Sequence, residues 1–241
     1  MTALKALLWD VDGTLAETED EGHRIAFNLA FDEAGLDWHW SSELYGELLA
    51  VAGGKERLLA WWHRIDPAGA ALPGATDAVR SLHQRKTAHY LDLVRRGAVS
   101  LRPGVLRLLA AASSRGLRQA IATTTTPDNV TQLVDATLGA AGRALFEVVG
   151  AGDIVPNKKP APDIYRWVLQ QLSLQAAECL AIEDSAAGVQ AARAAGVPVL
   201  LTRSRFTQAE TIEGVVADLA SLNDVEIDDL IAWHRTSPRR Q

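Results

Sequence analysis

Two aspartates separated by a single residue close the first apolar run of this chain, where Leu7, Leu8 and Trp9 lead into Asp10-Val11-Asp12-Gly13-Thr14-Leu15. Side chains alternate along a strand, so Asp10 and Asp12 project to the same side where the strand meets solvent. Ionised carboxylates in a partly buried place need a cation or hydrogen-bond donors, because leaving them unpaired costs several kcal/mol or forces protonation. Such a pair serves a metal, a phosphate or a proton.

Other segments carry matching chemistry. Thr123-Thr124-Thr125-Thr126 offers hydroxyls and backbone N–H groups ahead of a helix, which is both a helix cap and an anion cradle. In Asn157-Lys158-Lys159-Pro160-Ala161-Pro162-Asp163 the prolines stiffen the backbone just after Lys159, so the segment reads as a placed cation rather than a solvated lysine pair. Ile182-Glu183-Asp184-Ser185 again puts acid directly after a buried run, and the small residues Ala186-Ala187-Gly188 let the next helix pack close.

Hard oxygen ligands favour magnesium, which keeps waters or phosphate oxygens in part of its shell. The expected ligands are Asp10, the backbone carbonyl of Asp12, and Asp184, with Glu183 supporting directly or through water. Phosphoryl transfer suits such a site: Lys159, the Thr123 hydroxyl and the Thr124 N–H would stabilise the spread transition-state charge. Asp10 is the expected nucleophile, forming an aspartyl-phosphate, and Asp12 the acid that protonates the leaving group and later deprotonates water. Weaker matches fail. Leu15 stands where a calcium loop needs glycine, Gly150-Ala151-Gly152 lacks the rest of a dinucleotide fingerprint, and Gly54-Lys55-Glu56 lacks the Ser or Thr of a P-loop.

The elements that must position these residues are short apolar runs, Ala6 to Trp9, Gln119 to Thr123, Phe146 to Val149, Cys179 to Ile182 and Pro198 to Thr202. Helical periods at Val105 to Ser114, Ile164 to Gln171 and Ala187 to Ala195 separate them. Strand alternating with helix predicts an α/β fold with a doubly wound, mostly parallel sheet. Ligands of such sheets sit outside the carboxyl ends of the strands, where all four segments fall. From about Glu17 to Gly97 no convincing strand occurs. Helical periods at His23 to Ala34, Ser42 to Val51, Lys55 to Trp62 and Thr76 to Arg96, with turns at Gly53-Gly54 and Pro67 to Pro73, predict an inserted all-α unit. The expected division is 1–16 with 98–241 as the core and 17–97 as the insertion, with Trp38, Trp40, Trp61 and Trp62 in the insertion's own small core. Residues Ser237 to Gln241 are expected to fray.

Composition narrows the partners. With 241 residues, 48% hydrophobic and 22% charged, the chain has globular composition, and a net charge of -6 argues against nucleic acid and anionic membranes. The lone Cys179 lies in an apolar run and reads as a buried side chain, which fits a reducing cytoplasm. No stretch approaches ~18 unbroken apolar residues, Asp10 interrupts the first run too early for a signal peptide, and the six histidines show no zinc spacing.

Together the motifs Asp10-Val11-Asp12-Gly13-Thr14, Thr123, Lys159 and Glu183-Asp184 resemble the haloacid dehalogenase superfamily, specifically its phosphatases with a helical cap. Finer features are similar to the CbbY group: Ala16-Glu17-Thr18, His23-Arg24-Ile25-Ala26-Phe27-Asn28, Gly53-Gly54-Lys55-Glu56-Arg57, Lys86 with Tyr90, and Lys158-Lys159-Pro160 ahead of Asp163-Ile164-Tyr165. The acidic stretch Glu19-Asp20-Glu21-Gly22 departs from that pattern and unsettles the register of Glu17 and His23. The resemblance implies a Mg²⁺-dependent cytoplasmic phosphatase acting on a phosphorylated sugar such as xylulose-1,5-bisphosphate, and a monomer is the expectation for a cap that opens and closes. It implies that Lys55, Arg57 and Lys86 hold a distal phosphate and that Glu17 binds sugar hydroxyls, with His23, Tyr45, Gly53 and Gly54 nearby. A sugar phosphomutase like β-phosphoglucomutase would share the motifs. A dehalogenase would need neither Asp12 nor magnesium, and a non-catalytic module would not need the charged set at all.

Overall fold

The computed structural model describes residues 3–237. The chain forms two units, residues 1–17 with 100–241 and residues 18–99, dividing a residue or two later than the sequence pattern placed the crossings. Strand β1 (Ala6–Trp9) is the centre of the first unit. All four of its residues are 0% exposed, as a strand paired on both edges and covered on both faces must be.

Residues 18–99 are helical. A π-helical turn over Glu19–Arg24 runs into α1 (Ile25–Glu33), followed by α2 (Ser42–Leu48), α3 (Gly54–Ile65), the short α4 (Pro67–Ala70) and α5 (Ala75–Arg95). The helix expected to start at His23 therefore starts earlier, because the wide turn absorbs the acidic stretch. Asp20 and Arg24 pair across it at 2.7 Å, and Gly22 sits against the Tyr90 ring where a Cβ would crowd. The stretch Pro67 to Pro73, expected as turn, holds α4, with Asp66 capping Gly69 N at 2.9 Å. Trp40 is the buried centre of the aromatic core, 4.6 Å from the Phe27 ring and 5.0 Å from the Phe31 ring, and Asn28 pins its backbone through both N–H and C=O. Trp38, Trp61 and Trp62 flank that core half-buried.

The first unit resumes with α6 (Val105–Ser114) and continues through β2 (Arg118–Ala122), α7 (Pro127–Leu138), β3 (Val148–Gly150), α8 (Asp163–Leu172), β4 (Cys179–Glu183), α9 (Ala186–Ala194), β5 (Val199–Thr202), β6 (Ala217–Leu219) and α10 (Ile227–Thr236). The strand order is β3-β2-β1-β4-β5-β6, with every pairing parallel. This is the doubly wound α/β sheet that the alternation predicts, with one strand more than the apolar runs show. Strand β6 escapes a search for buried runs because it is a half-exposed edge of three residues, tied in by Arg203 gripping Asp218 at 2.8 and 2.7 Å. Strand β3 begins two residues after Phe146, and Pro198 stays outside β5.

Helices α8 and α9 bury Tyr165, Val168, Val189 and Ala192 against Leu8, Ala120 and Ala181 on one face of the sheet. Trp9 pairs in register with Ile121 on one side and Ile182 on the other, so the chain leaves β1, β2 and β4 at one level. No helix among the described residues is long and apolar enough to cross a membrane. Of the segment expected to fray, residues 238–241 lie outside the described residues.

Candidate active site

The register puts Asp10 and Glu183 side by side at the carboxyl ends of β1 and β4, each one step beyond a paired residue. Lys159, 6% exposed, bridges them: its Nζ donates to Asp10 Oδ1 at 2.6 Å and to Glu183 Oε1 at 2.5 Å. Carboxylate oxygens of Asp10, Glu183 and Asp184 all lie within 4.8 Å of one another, and all three residues are buried. One ammonium against three carboxylates leaves the cluster short of positive charge.

The titration of the cluster records that deficit. Burial raises the Asp10 carboxyl, Lys159 pulls it back, and Glu183 and Asp12 push it up again, so it ends above the ordinary carboxylate range. Asp184 is likewise raised, by burial and then by Asp10 and Glu183, against a hydrogen bond from Ser204 and the charge of Arg102. Burial alone would lower Lys159, but Asp10 and Glu183 outweigh it and keep the ammonium charged. A set of hard oxygen donors lacking positive charge fits a divalent cation of the magnesium class. The side chain of Asp12, half-buried, is outside the three-carboxylate group, and its neighbourhood to Asp10 shows as electrostatic repulsion.

Close approach makes the arrangement possible. Gly13 has a φ of 81°, and a Cβ there would overlap the Asp184 carboxylate. A Cβ on Gly188 would overlap the Glu183 carboxylate, which is why small residues open α9. Ser185 caps that helix by accepting from Gly188 N at 3.1 Å.

Several supporting groups are absent from the sequence reading of the site. Tyr165 on α8 donates to Glu183 Oε1 at 2.6 Å, and burial together with Glu183 and Asp10 raises its hydroxyl, so it stays a donor. It sits on the apolar face of a helix, where pattern alone reads it as core. Ser204 beyond β5 bonds Asp184, and the Thr207 hydroxyl orients Ser204 by accepting from the Ser204 N–H at 3.0 Å and meeting its hydroxyl at 3.1 Å. A fifth strand end thus reaches the site although its sequence carries no acid. Arg102, 8% exposed, donates to the Gly13 carbonyl, to Thr202 O at 3.3 Å and to Arg203 O at 2.5 Å, and pairs with Glu17 at 3.0 Å. A lone arginine ahead of Pro103 gives no sequence signal of this.

Thr123 follows β2 directly, is 1% exposed and donates its N–H to Gly150 O at 2.9 Å, while its hydroxyl accepts from Thr125 N at 3.2 Å. Thr124 is half-buried in the turn before α7, which Thr126 caps at Asn129 N.

In the helical unit, the charges that pattern would class as solvated helix faces are instead buried. Arg57, 7% exposed, donates to Leu48 O at 3.1 Å and to the Tyr45 hydroxyl at 2.9 Å, and Tyr45 in turn donates to Glu19 at 2.5 Å. Lys86, 3% exposed, meets His23 Nδ1 at 2.8 Å and lies over the Phe27 and Tyr90 rings. Gly53, with a φ of 93°, turns the chain into α3, and a Cβ on Gly54 would crowd His83. Lys55 is half-buried in the first turn of α3.

Comparison with known proteins gives a consistent result. Residues 4–196 match the haloacid dehalogenase-like hydrolases. The chain is 48% identical over 221 residues to the plasmid-borne CbbY protein of Cupriavidus necator, covering 92% of this chain and 87% of that protein. It is 48% identical over 231 residues to CbbY of Rhodobacter capsulatus, covering 94% and 99%. Crystal structures of CbbY from Rhodobacter sphaeroides, one in complex with phosphate and one of a mutant in complex with xylulose-(1,5)bisphosphate, superpose with a TM-score of 0.83 at 42% identity, covering 92% of this chain and 96% of that one.

Proposed function

Since the chain belongs to the haloacid dehalogenase-like hydrolases and is a phosphatase of that family, we propose that it hydrolyses a ketose bisphosphate, with xylulose-1,5-bisphosphate as the substrate, through a phosphorylated Asp10. The observation that carries this reading is the buried bridge from Asp10 through Lys159 to Glu183, beside Asp184. A lysine with a fixed charge at 2.6 Å orients one Asp10 oxygen and leaves the other to attack phosphorus in line.

In the first half-reaction an Asp10 oxygen bonds to phosphorus as the ester oxygen leaves, and Asp12 gives that oxygen its proton. In the second, Asp12 takes a proton from water, the water oxygen attacks phosphorus, and the bond to Asp10 breaks to release phosphate. Lys159, the Thr123 hydroxyl and the Thr124 N–H face the equatorial oxygens. Bound by Asp10, the Asp12 carbonyl and Asp184, with Glu183 behind them, Mg²⁺ would supply positive charge against the phosphate oxygens.

Substrate recognition falls to the helical unit and the loop leading to it. Arg57 and Lys86 are buried cations, Arg57 lying 3.9 Å from Glu19 and Lys86 meeting His23, and we assign them the second phosphate together with Lys55. Glu17 takes the hydroxyls, Gly53 and Gly54 supply backbone N–H groups, and His23 and the buried Tyr45 act through the cations they touch, Lys86 and Arg57. The substrate named for the Rhodobacter sphaeroides mutant supports this choice.

The test is phosphate release from a panel of sugar mono- and bisphosphates with and without Mg²⁺. Preference for ketose bisphosphates, lost on chelation and in Asp10→Asn, is the expected result. Release from none of them would overturn the reading, and conversion to an isomeric monophosphate without net phosphate release would make the protein a mutase.

A further inference from the structure

The helical unit leaves the sheet unit after Glu17 and returns at Ser100, so Glu17 and Arg102 flank the two crossings on the sheet side. Their backbones are joined: Ala16 bridges both Asp12 and Leu101, and Arg102 N donates to Leu15 O at 2.8 Å. Their side chains are joined as well, Arg102 Nε lying 3.0 Å from Glu17 Oε1. The same guanidinium holds the Gly13, Thr202 and Arg203 carbonyls. It therefore ties the loop that carries Asp12 to the β5 end that carries Ser204.

Carbonyl contacts alone would explain Arg102 as a strut, but the contact with Glu17 needs a separate reason. The Glu17 side chain is 42% exposed, and an ion pair that open to water adds little to stability. What it does add is direction. A glutamate with three free torsions is a poor acceptor for a substrate hydroxyl, because the carboxylate must be ordered on binding. Held at one oxygen by a planar donor that is itself fixed by three carbonyls, its carboxylate is ordered in advance.

We propose that Arg102 is a positioning residue for substrate selection: it fixes Glu17 as a preoriented acceptor for hydroxyl groups of a polyhydroxylated phosphate ester. This rests on the assignment of Glu17 to sugar hydroxyls, and goes beyond it in naming the group through which Glu17 acts.

The experiment compares kcat and KM for xylulose-1,5-bisphosphate and for an aryl phosphate that carries no hydroxyls, in the wild type, Arg102→Lys, Glu17→Gln and the double variant. Lysine keeps the charge but cannot reach Glu17 and three carbonyls at once. The expected result is that Glu17→Gln and Arg102→Lys each lower the sugar-to-aryl ratio of kcat/KM by about tenfold, chiefly through KM for the sugar. The double variant should lose no more than Arg102→Lys alone. An unchanged ratio in Arg102→Lys, a loss shared equally by both substrates, or multiplicative losses in the double variant would overturn the proposal.

If Arg102→Lys does not fold by circular dichroism, Glu17→Asp decides, since it keeps the charge and withdraws it from Arg102. A ratio as low as in Glu17→Gln supports the proposal, and a wild-type ratio overturns it. Failure of the inference is separable from failure of the function. Wild type that hydrolyses the sugar bisphosphate with a ratio insensitive to these variants overturns the first alone, whereas wild type releasing no phosphate from any ester overturns both.

Discussion

Replacing Lys159 with methionine is the most demanding test of the buried cluster, because it removes the single ammonium between Asp10 and Glu183 while nearly conserving side-chain length. In the metal-free protein the two acids then share a buried site in which Tyr165 and the Asp184 N–H donate to Glu183. Breaking a buried pair by removing one partner costs about 3–5 kcal/mol, since the remaining charge is left uncompensated. In a chain of this length each kcal/mol moves the melting temperature by roughly 2–4 °C, so a fall of roughly 6–20 °C is expected at pH 8. The sign of its pH dependence follows from Asp10, whose carboxyl is already held above its unfolded value with Lys159 present. Loss of the cation raises it further, so above pH 8 the wild type gives up this proton while the variant still holds it, and the penalty grows toward pH 9. Urea titrations of wild type and variant at both pH values, with and without MgCl₂, measure this directly. A loss below about 1 kcal/mol at pH 8, or one identical at pH 9, would show that the acids are compensated by something other than Lys159.

Three further outcomes are expected. The folded-state values of Asp10 and Asp184 lie above their unfolded ones, so the stability these groups contribute is full below the ordinary carboxylate range and is lost as pH rises through the raised values; stabilisation by Mg²⁺ in thermal melts should therefore grow from pH 6 to pH 8.5, and a constant increment would refute the charge deficit. Gly188→Ala drives a methyl into the Glu183 carboxylate and should cost about 1–3 kcal/mol while weakening Mg²⁺ binding by calorimetry, with wild-type melting and affinity as the contrary result. Asp12→Asn should slow both formation and breakdown of the phosphoenzyme by about 10²-fold or more in single-turnover kinetics, and an unaltered breakdown rate would remove Asp12 as the base.

The amino-acid sequence by itself determined the strand β1, the alternation that makes the sheet parallel, and the identity of Asp10, Lys159, Glu183 and Asp184, because buried strands read as continuous apolar runs and acids at their ends have no packing reason to be there. It also marked residues 17–97 as helical, since periodicity is a local property. Tertiary structure alone decided the partners. Tyr165 shows as one more apolar-face residue until α8 packs on β4, Arg102 carries no local pattern, and Ser204 follows a strand with no acid to announce it. Edge strand β6 is equally silent, being too short and too exposed to print a run. The turn at Glu19–Arg24 is π-helical with Gly22 against the Tyr90 ring, a contact that no window of sequence shows. Local chemistry fixes which groups are present, while the distances that make them a site arise between residues 149 positions apart, as Asp10 and Lys159 are, and only the closed sheet sets those.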